Sequence, residues 1–292
     1  MQKRHEQAIR RDEQGRAHLQ LIRDPETGAP QLTLTAALFK EKWQNELVTV
    51  AANAALSTLR DELDLPPAIE LARNAMQLAS EMSAQFLEKL PPGTVACKGG
   101  CAHCCHQPVG ITAIEALAIA DHLRKALSEA DLARVAARVA AAHEKARGLS
   151  TAERFSAEQP CPFLEAGQCS IYDVRPLVCR GMNSRDAGAC ARIVSDAAAR
   201  DEFLANPASG HAFAVPVRVA LSLSVGLQLG LFELYGLDMR PLDLIAAMHL
   251  LLTRGPSLES EWLLGDAPFE SARASEGGID ARTRVLMGGA GG

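Results

Sequence analysis

Eight cysteines are the residues of this chain with the most distinctive chemistry, and they lie in one third of it. They occur between positions 97 and 190, and the 96 residues before them and the 102 residues after them contain none. Cysteines that only fill a core would be spread through it, so the clustering indicates a shared role. Thiolates bind zinc and iron strongly, and metal binding is therefore the chemistry that we predict. The candidate ligands are Cys97, Cys101, Cys104, Cys105, Cys161, Cys169, Cys179 and Cys190.

The first group of cysteines has a spacing that can enclose an ion. It reads CKGGCAHCCH from position 97. Two thiolates separated by two or three residues can bind one ion because the chain between them turns back, and Gly99 and Gly100 permit the positive φ angles that such a turn can need. Cys104 and Cys105 are adjacent and tend to point apart, so each can serve a different ion, bridge two ions or stay free. The spacing does not assign the cysteines to sites.

Two metal chemistries fit a donor set of this kind. Zn²⁺ takes four thiolates in a closed tetrahedron that mainly stabilises a fold, whereas an iron–sulfur cluster takes four thiolates and adds redox capacity. Eight thiolates are enough for two such sites, each with a net charge of about −2.

Several neighbouring side chains can support the ligands. Two histidines can replace a thiolate or lie behind the ligands, and Tyr172 is expected in the core or as a hydrogen-bond donor to a thiolate. The arginines either offset the negative charge or form a helix cap or a surface ion pair. These supporting candidates are His103, His106, Tyr172, Arg175 and Arg180.

The second group of cysteines carries a resemblance to a known family. It reads CPFL from Cys161, CSIY from Cys169 and RPLVCR from Arg175, and it ends at Cys190. Together with the preceding CxxxCxxCC, these motifs resemble the CxxCxxCC cysteine-cluster family of zinc- or iron-chelating proteins over about a third of the chain. The resemblance implies that the matched cysteines chelate zinc or iron. A related cysteine motif occurs in flagellin lysine methylases, where an iron–sulfur cluster is implicated, but this sequence shows no GxGxxG-type loop after a strand.

Three functions are compatible with a cysteine module of this kind. The one that we favour is a metal-binding protein that holds zinc or iron for structure, storage or delivery. The second is an iron–sulfur-dependent enzyme that performs redox or group-transfer chemistry on a protein or a small substrate. The third is an interaction scaffold whose loops are locked by metal and whose helices hold a protein partner. The sequence leaves enzymatic activity open.

The composition favours packed helices around the cysteines. Hydrophobic residues make up 48% of the chain and charged residues 22%, but only 12 residues are aromatic. A core of Leu, Ala, Val and Ile suits helices better than a β-sandwich. The net charge of −5 argues against a nucleic-acid partner. We predict a mainly α fold, with bundle-like helical flanks around a loop-rich metal module and a short N-terminal β-hairpin.

Local signals place the individual elements. Turn residues from Asp24 to Gly28 predict the hairpin within positions 18–35, and Thr112 with Glu115 predicts a capping box. The prolines at 66 and 67 are interpreted as the end of a helix, and Pro241 as the first turn of another. The predicted helices cover 36–63, 68–90, 112–127, 128–147, 191–204, 215–235 and 241–254.

These elements divide the chain into five segments. They are a polar N-terminal segment (1–35), a helical flank (36–96), the cysteine module (97–190), a helical part that packs on it (191–264) and a tail expected to be disordered (265–292).

The chain shows no signal for export or for a membrane. Its first 30 residues lack an apolar run, and the longest uncharged apolar window, 219–232, has 14 residues, fewer than the ~18–20 needed to cross a bilayer. We therefore expect a cytoplasmic protein, whose thiols stay reduced, and no membrane partner.

Overall fold

Helices form most of the structure, a computed structural model that describes residues 11, 15, 17–157, 159–205 and 211–274. This confirms the mainly α fold. The α-helices in the described part are α1 (Lys42–Leu59), α2 (Leu65–Leu87), α3 (Ala113–Ala126), α4 (Glu129–Ala146), α5 (Thr151–Ser156), α6 (Leu177–Gly181), α7 (Ala187–Ser195), α8 (Ala197–Ala205), α9 (Ala214–Tyr235), α10 (Leu244–Arg254) and α11 (Pro256–Leu263). Short 3₁₀ turns lie at His103–His106, Tyr172–Val174 and Glu270–Ala272.

The strands among the described residues form three small antiparallel pairs. They are β1 (Leu19–Arg23) with β2 (Pro30–Leu34), β3 (Gly110–Ile111) with β6 (Leu242–Asp243), and β4 (Leu164–Glu165) with β5 (Gln168–Cys169). The first pair is the predicted N-terminal hairpin, and it is confirmed. Its turn is held by the Asp24 carboxylate, which accepts hydrogen bonds from the N–H groups of Glu26 and Thr27.

The hairpin is attached to α1 through one amide side chain. Asn53 Oδ1 accepts from the N–H of Leu32, and Asn53 Nδ2 donates to the carbonyl of the same residue, both at 2.8 Å. Leu32 is fully buried between the hairpin and α1, so its backbone groups have little access to water. One side chain therefore satisfies both backbone groups of a buried strand residue.

Asn53→Ala is expected to lower the free energy of unfolding by about 2–3 kcal/mol, because both buried backbone groups of Leu32 lose their side-chain partner. Urea unfolding and the hydrogen exchange of the Leu32 amide measure the effect. Ser57→Ala on the exposed side of α1, where the hydroxyl donates only within the helix, serves as the control. An equal loss of unfolding free energy in the two variants would show that Asn53 does not attach the hairpin.

The centre of the fold is the packing of α9 against α1. A Cβ placed on Gly226 would lie 2.4 Å from the Val48 carbonyl oxygen, and one on Gly230 would lie 2.8 Å from the Ala55 Cβ. Glycine at these two positions lets the helix backbones approach closely. The main core continues from this contact through α2, α3 and α10.

Helix α9 confirms the helix predicted at 215–235, and it extends through Arg218 and Glu233 beyond both ends of the apolar window at 219–232. In the described part of the chain it is the one helix of 18 residues or more that is apolar enough to cross a membrane, with a mean hydropathy of 1.6 over its most apolar window. More than half of that window, 56%, is buried. A core helix passes the same test, and the contacts of α9 with α1, α2 and α6 are those of a core helix.

Two proline predictions were wrong in their placement. Pro66 and Pro67 do not end a helix but lie in the first turn of α2, where a missing N–H costs nothing, and Asp64 caps that turn. Pro241 precedes β6, and α10 begins later, at a cap formed by Asp243.

The helix predicted at 191–204 is two helices. Asp186 caps α7 by accepting from the N–H of Ala189, and Asp196 starts α8 by accepting from the N–H of Ala199. Cys190 consequently lies inside a helix and not before one.

The C-terminal residues extend the fold beyond the predicted helices. Helix α11 and the 3₁₀ turn at Glu270–Ala272 follow α10, Phe269 and Ala272 are buried, and the N–H of Ala274 donates to the Pro241 carbonyl. Residues 265–274 therefore pack on the core, although the sequence analysis places them in a disordered tail. The rest of that tail, 275–292, and the polar residues 1–10 lie outside the described residues.

Candidate metal centre

The first cysteine group lies on the loop that follows α2 and on the 3₁₀ turn behind it. The N–H of Cys101 donates to the Lys98 carbonyl at 3.0 Å, which closes a tight turn, and Gly100 has the positive φ, +82°, that the spacing predicts. Cys104 and Cys105 are in the 3₁₀ turn at His103–His106. The loop thus turns back on itself between its first two cysteines.

A small hairpin that the sequence analysis missed carries the next two cysteines. Cys161 precedes β4, and Cys169 is the last residue of β5. The two-residue turn between the strands is formed by Ala166 and Gly167, with φ of 48° and 77°. Positive φ at both positions is the arrangement that matches the twist of a tight hairpin. Each strand has only two residues, so no alternating pattern could have revealed it.

Helix α6 carries Cys179 and is placed by contacts from three sides. A Cβ on Gly181 would lie 2.8 Å from the Pro216 carbonyl oxygen, so glycine permits a close approach to α9. Arg180 donates to the carbonyls of Arg175 and Asp173 and to the Ser80 hydroxyl on α2, at 2.5–2.8 Å. Cys179 is therefore fixed by short-range packing and by hydrogen bonds of its neighbours.

Glu115 contacts α6 from the third side. The predicted capping box is confirmed, since Glu115 accepts from the N–H of Thr112 and donates its own N–H to the Thr112 hydroxyl. Its second carboxylate oxygen accepts from the N–H of Leu177 at 2.8 Å. Burial raises the pKa of Glu115, and these hydrogen bonds oppose the rise. One carboxylate thus serves the first turns of both α3 and α6.

Glu115→Gln is expected to lower the free energy of unfolding by about 1–3 kcal/mol, because an amide has one acceptor oxygen and leaves one of the two buried N–H groups unpaired. Glu153→Gln is a matched control, since Glu153 forms the same capping box with Ser150 at an exposed helix end. Chemical denaturation measures the free energy of unfolding of both variants. A loss for Glu115→Gln no larger than that of the control would contradict this role.

The fourth cysteine-bearing segment is α7, which the first loop contacts through Ser184. The N–H of Ser184 donates to the Cys97 sulfur at 3.2 Å, and the Ser184 carbonyl accepts from the N–H of Ala96 at 2.8 Å. The Ser184 hydroxyl also accepts from the N–H of Asp186, the residue that caps α7 and so positions Cys190. Nothing in the sequence marks Ser184 for this role.

The fold brings the thiols of all four segments close enough to interact electrostatically. One set of interactions joins Cys97, Cys101 and Cys190, and a second set joins Cys161, Cys169 and Cys179. Cys104 interacts with members of both sets and is hydrogen-bonded to Cys105. The backbone also joins the segments, since the N–H of Cys161 donates to the Cys105 carbonyl at 2.7 Å. Cysteines more than 90 positions apart in sequence are thereby neighbours.

The protein environment disfavours thiolates in the absence of a cation. Burial raises the pKa of the Cys161 thiol to about 12 and that of Cys179 well above its ordinary value. The hydrogen bond with Cys105 is the main reason why the pKa of Cys104 is raised. Burial is also the main cause of the raised pKa of Cys97, Cys169 and Cys190. A metal ion must therefore displace protons when it binds these thiols.

The donor set suits zinc or iron, although its side chains are not preset around one point. All eight cysteines are free thiols. Within the described residues, no three His, Cys, Asp or Glu side chains are already arranged to hold a metal ion. Thiolates from four segments that meet in one region match the four-sulfur environments in which zinc and iron–sulfur clusters occur. Side-chain rotation would have to complete such a site.

Among the supporting candidates, the two arginines differ in their environment. Arg180 is buried and makes the three hydrogen bonds that fix α6, so it has a structural role. Arg175 lies 4.3 Å from the centre of the Tyr172 ring, and its buried Nε has no hydrogen-bond partner in the part of the chain that the structure describes. Burial raises the pKa of the Cys169 and Cys179 thiols, and the positive charge of Arg175 lowers it. The charge of Arg180 also lowers the pKa of the Cys169 thiol, so both arginines can offset thiolate charge, and Arg180 fixes α6 in addition.

The aromatic and imidazole candidates also differ from one another. Tyr172 is 59% exposed, which contradicts its expected place in the core. His103 is half-buried on the 3₁₀ turn that carries Cys104. His106 Nδ1 lies 3.3 Å from the Ala102 carbonyl, which can only accept, so this contact places the proton on Nδ1 and leaves Nε2 able to bind a metal.

The comparisons with known proteins agree with this geometry. Residues 96–203 match the CxxCxxCC family model, described as "putative zinc- or iron-chelating domain". The match covers a little over a third of the chain. The matched region contains all eight cysteines and extends beyond them through α7 and most of α8. It supports zinc or iron binding by this part of the chain. No curated protein and no solved structure shows significant similarity to the chain.

Proposed function

We propose that this protein binds zinc or iron through the cysteine thiolates of its CxxCxxCC domain. The observation that carries the proposal is the meeting of thiols from four segments around the 3₁₀ turn at His103–His106, inside the region that matches the chelating family. Burial makes these thiolates unfavourable without a cation, and a bound metal removes that cost.

The proposal includes a role in the stability of the fold. The four segments meet through few backbone hydrogen bonds, such as those of Ser184 and Cys161, and metal–thiolate bonds would join them covalently. We place the protein in the cytoplasm, where reduced thiols remain available as ligands.

Elemental analysis and the visible absorption spectrum of protein purified without oxygen test the proposal. We expect about two zinc or iron atoms per chain if zinc or mononuclear iron is bound, because eight thiolates fill two four-ligand sites. Zinc gives a colourless protein. A chain that contains neither zinc nor iron, and that takes up neither when each is supplied under reducing conditions, contradicts the proposal.

An iron–sulfur cluster is the second candidate occupant of the same thiols. The observation that favours it is Arg175, whose charge faces the thiols without an ion-pair partner in the described residues and can offset a negatively charged cluster. Iron with acid-labile sulfide and a broad band near ~400 nm is the expected result. In that case redox or group-transfer activity on a protein or small substrate becomes the function to test.

A further inference from the structure

We propose that His143 and His249 form a pH-sensitive clamp between α4 and α10, which keeps the cleft beside Cys161 closed at neutral pH and opens it under mildly acidic conditions. The two imidazole rings are stacked, with ring centres 4.4 Å apart and an angle of 13° between their planes. His143 belongs to the last turn of α4, and His249 lies in the middle of α10. The inference goes beyond metal binding and does not depend on which metal the thiols hold.

The stability of this ring contact depends on its protonation. Two neutral rings stack favourably, and one proton is tolerated because the other ring stays neutral. A second proton would place two positive charges 4.4 Å apart, measured between the ring centres. Both residues are half-buried, so water screens the repulsion incompletely. Histidine gains its proton near pH ~6.5, so the doubly charged pair arises in mildly acidic solution.

The charges nearest to His143 lie on its own helix and on α10. Burial lowers the pKa of His143, and the charge of His249 lowers it further. Glu144 and Asp243 act in the opposite direction, and Arg147 adds to the lowering. Because a histidine with a lowered pKa resists protonation in the folded chain, the contact is strongest at neutral pH and weakens as the pH falls below about 6.5.

Other charged side chains on the elements around α4 and α10 are held in ion pairs. These pairs join Arg154 to Asp243, Arg124 to Glu259, Arg254 to Glu261, and Asp121 to both Arg73 and Lys125. Lys145, also in the last turn of α4, is exposed. As a rule, carboxylates and guanidinium groups keep their charge between about pH 5.5 and 7.5. The stacked histidines are therefore the contact between these two helices that responds to pH.

The same two helices carry parts of the cleft beside Cys161. Gln159 lines the cleft, and its Nε2 donates to the carbonyl of Ala142, the residue before His143, at 2.9 Å. Leu244–Ile245, at the start of α10, also line it. Gln159 is thus attached to α4, whereas the two apolar side chains belong to α10. Separation of the two helices consequently widens the cleft.

The closed cleft admits almost nothing from solvent. Its volume is 20 Å³, which is room for about one water molecule. His106 lines it together with Cys161. Opening of the clamp would therefore expose this side of the cysteine module to solvent and to small molecules.

Hydrogen exchange of the full, metal-loaded chain, measured by mass spectrometry at about pH 7.5 and pH 5.5, tests the inference. After correction for the intrinsic effect of pH on exchange, the segments 139–147, 159–164 and 244–251 should exchange about fivefold faster at the lower pH. This factor corresponds to the repulsion of two unit charges at 4.4 Å in water, which is about fivefold in an equilibrium constant.

His143→Gln removes one of the two charges and should abolish this acceleration. His122→Gln on α3 is the matched control, because His122 has no ring partner among the described residues, and it should keep the acceleration. All three chains have the same cysteines, so loss of metal at the lower pH affects them equally. The same acceleration in His143→Gln as in the unmutated chain would overturn the clamp.

An NMR titration of the unmutated chain keeps the inference testable if His143→Gln does not fold. The ring protons of His143 should titrate below the ordinary value of 6.5, and their nuclear Overhauser contacts with the His249 ring should disappear as the pH falls. Ring contacts that persist at about pH 5.5 would overturn the clamp and leave the proposed metal binding intact. A chain that shows this behaviour but binds no metal would overturn the proposed function alone.

Discussion

Cys179→Ser is expected to lower the metal content and to reduce the thermal midpoint of unfolding by roughly 5–11 °C. Serine is a poor ligand for zinc and iron, so a four-thiolate site that loses one thiolate binds its metal much more weakly. A metal present at 100 times its dissociation constant contributes about 2.7 kcal/mol to stability, and 1 kcal/mol corresponds to about 2–4 °C for a domain of 150–250 residues. Elemental analysis and calorimetry measure the two effects.

The matched control for this variant is Val178→Ser, which introduces the same side chain at the adjacent position of α6. Val178 is exposed, so the control should keep its metal and its thermal midpoint. Chelator-treated protein supplies the decisive comparison. If Cys179 acts through a metal, the difference between Cys179→Ser and the original chain should shrink after metal removal. An unchanged difference would mean that the thiol only fills the core.

Gly226→Ala is expected to lower the free energy of unfolding by about 2 kcal/mol or more. The new methyl group would lie 2.4 Å from the Val48 carbonyl oxygen and 2.6 Å from the Ala51 Cβ, so the backbones of α1 and α9 must separate. Overpacking of this kind costs about 1–3 kcal/mol and sometimes more, against a gain of about 1 kcal/mol from replacing glycine by alanine within a helix. Because the new methyl group would meet the backbone of α1, which cannot move aside as a side chain can, we expect the overpacking cost to lie at the upper end of this range.

Gly188→Ala on α7 is the control for the glycine variant. The same substitution adds a methyl group 3.1 Å from the Asp186 Oδ1 and 3.6 Å from the Arg192 Nη1, contacts that a shift of a few tenths of an ångström relieves. Chemical denaturation should show a change of less than about 1 kcal/mol for this variant. If Gly226→Ala is as stable as Gly188→Ala, α1 and α9 do not pack as closely as the structure shows.

The sequence could predict the features that depend on local residue patterns. The clustering of cysteines in one third of the chain predicted a metal module, and a chelating family model matches that region. Thr112 and Glu115 lie three positions apart and do form the predicted capping box. The turn from Asp24 to Gly28 likewise gave the N-terminal hairpin, because its hydrogen bonds are between near neighbours.

Features that depend on tertiary contacts could not be predicted in this way. The second hydrogen bond of Glu115 joins it to Leu177, 62 positions later, and the bond of Ser184 to Cys97 spans 87 positions. The grouping of the thiols depends on such contacts, so the spacing of the cysteines alone left it open. The prolines in the first turn of α2 were misplaced for a different reason. Proline occurs both after the end of one helix and in the first turn of the next, so the residue type alone does not distinguish the two positions.

X-ray absorption spectroscopy at the edge of the bound metal tests the central claim most directly. It reports the atoms that surround the metal and their distances in the intact protein. Coordination by cysteine thiolates predicts a shell of about four sulfur atoms per metal at ~2.3 Å. A shell of nitrogen or oxygen at ~2.0–2.2 Å, with fewer than one sulfur per metal, would contradict the assignment of the cysteines as ligands.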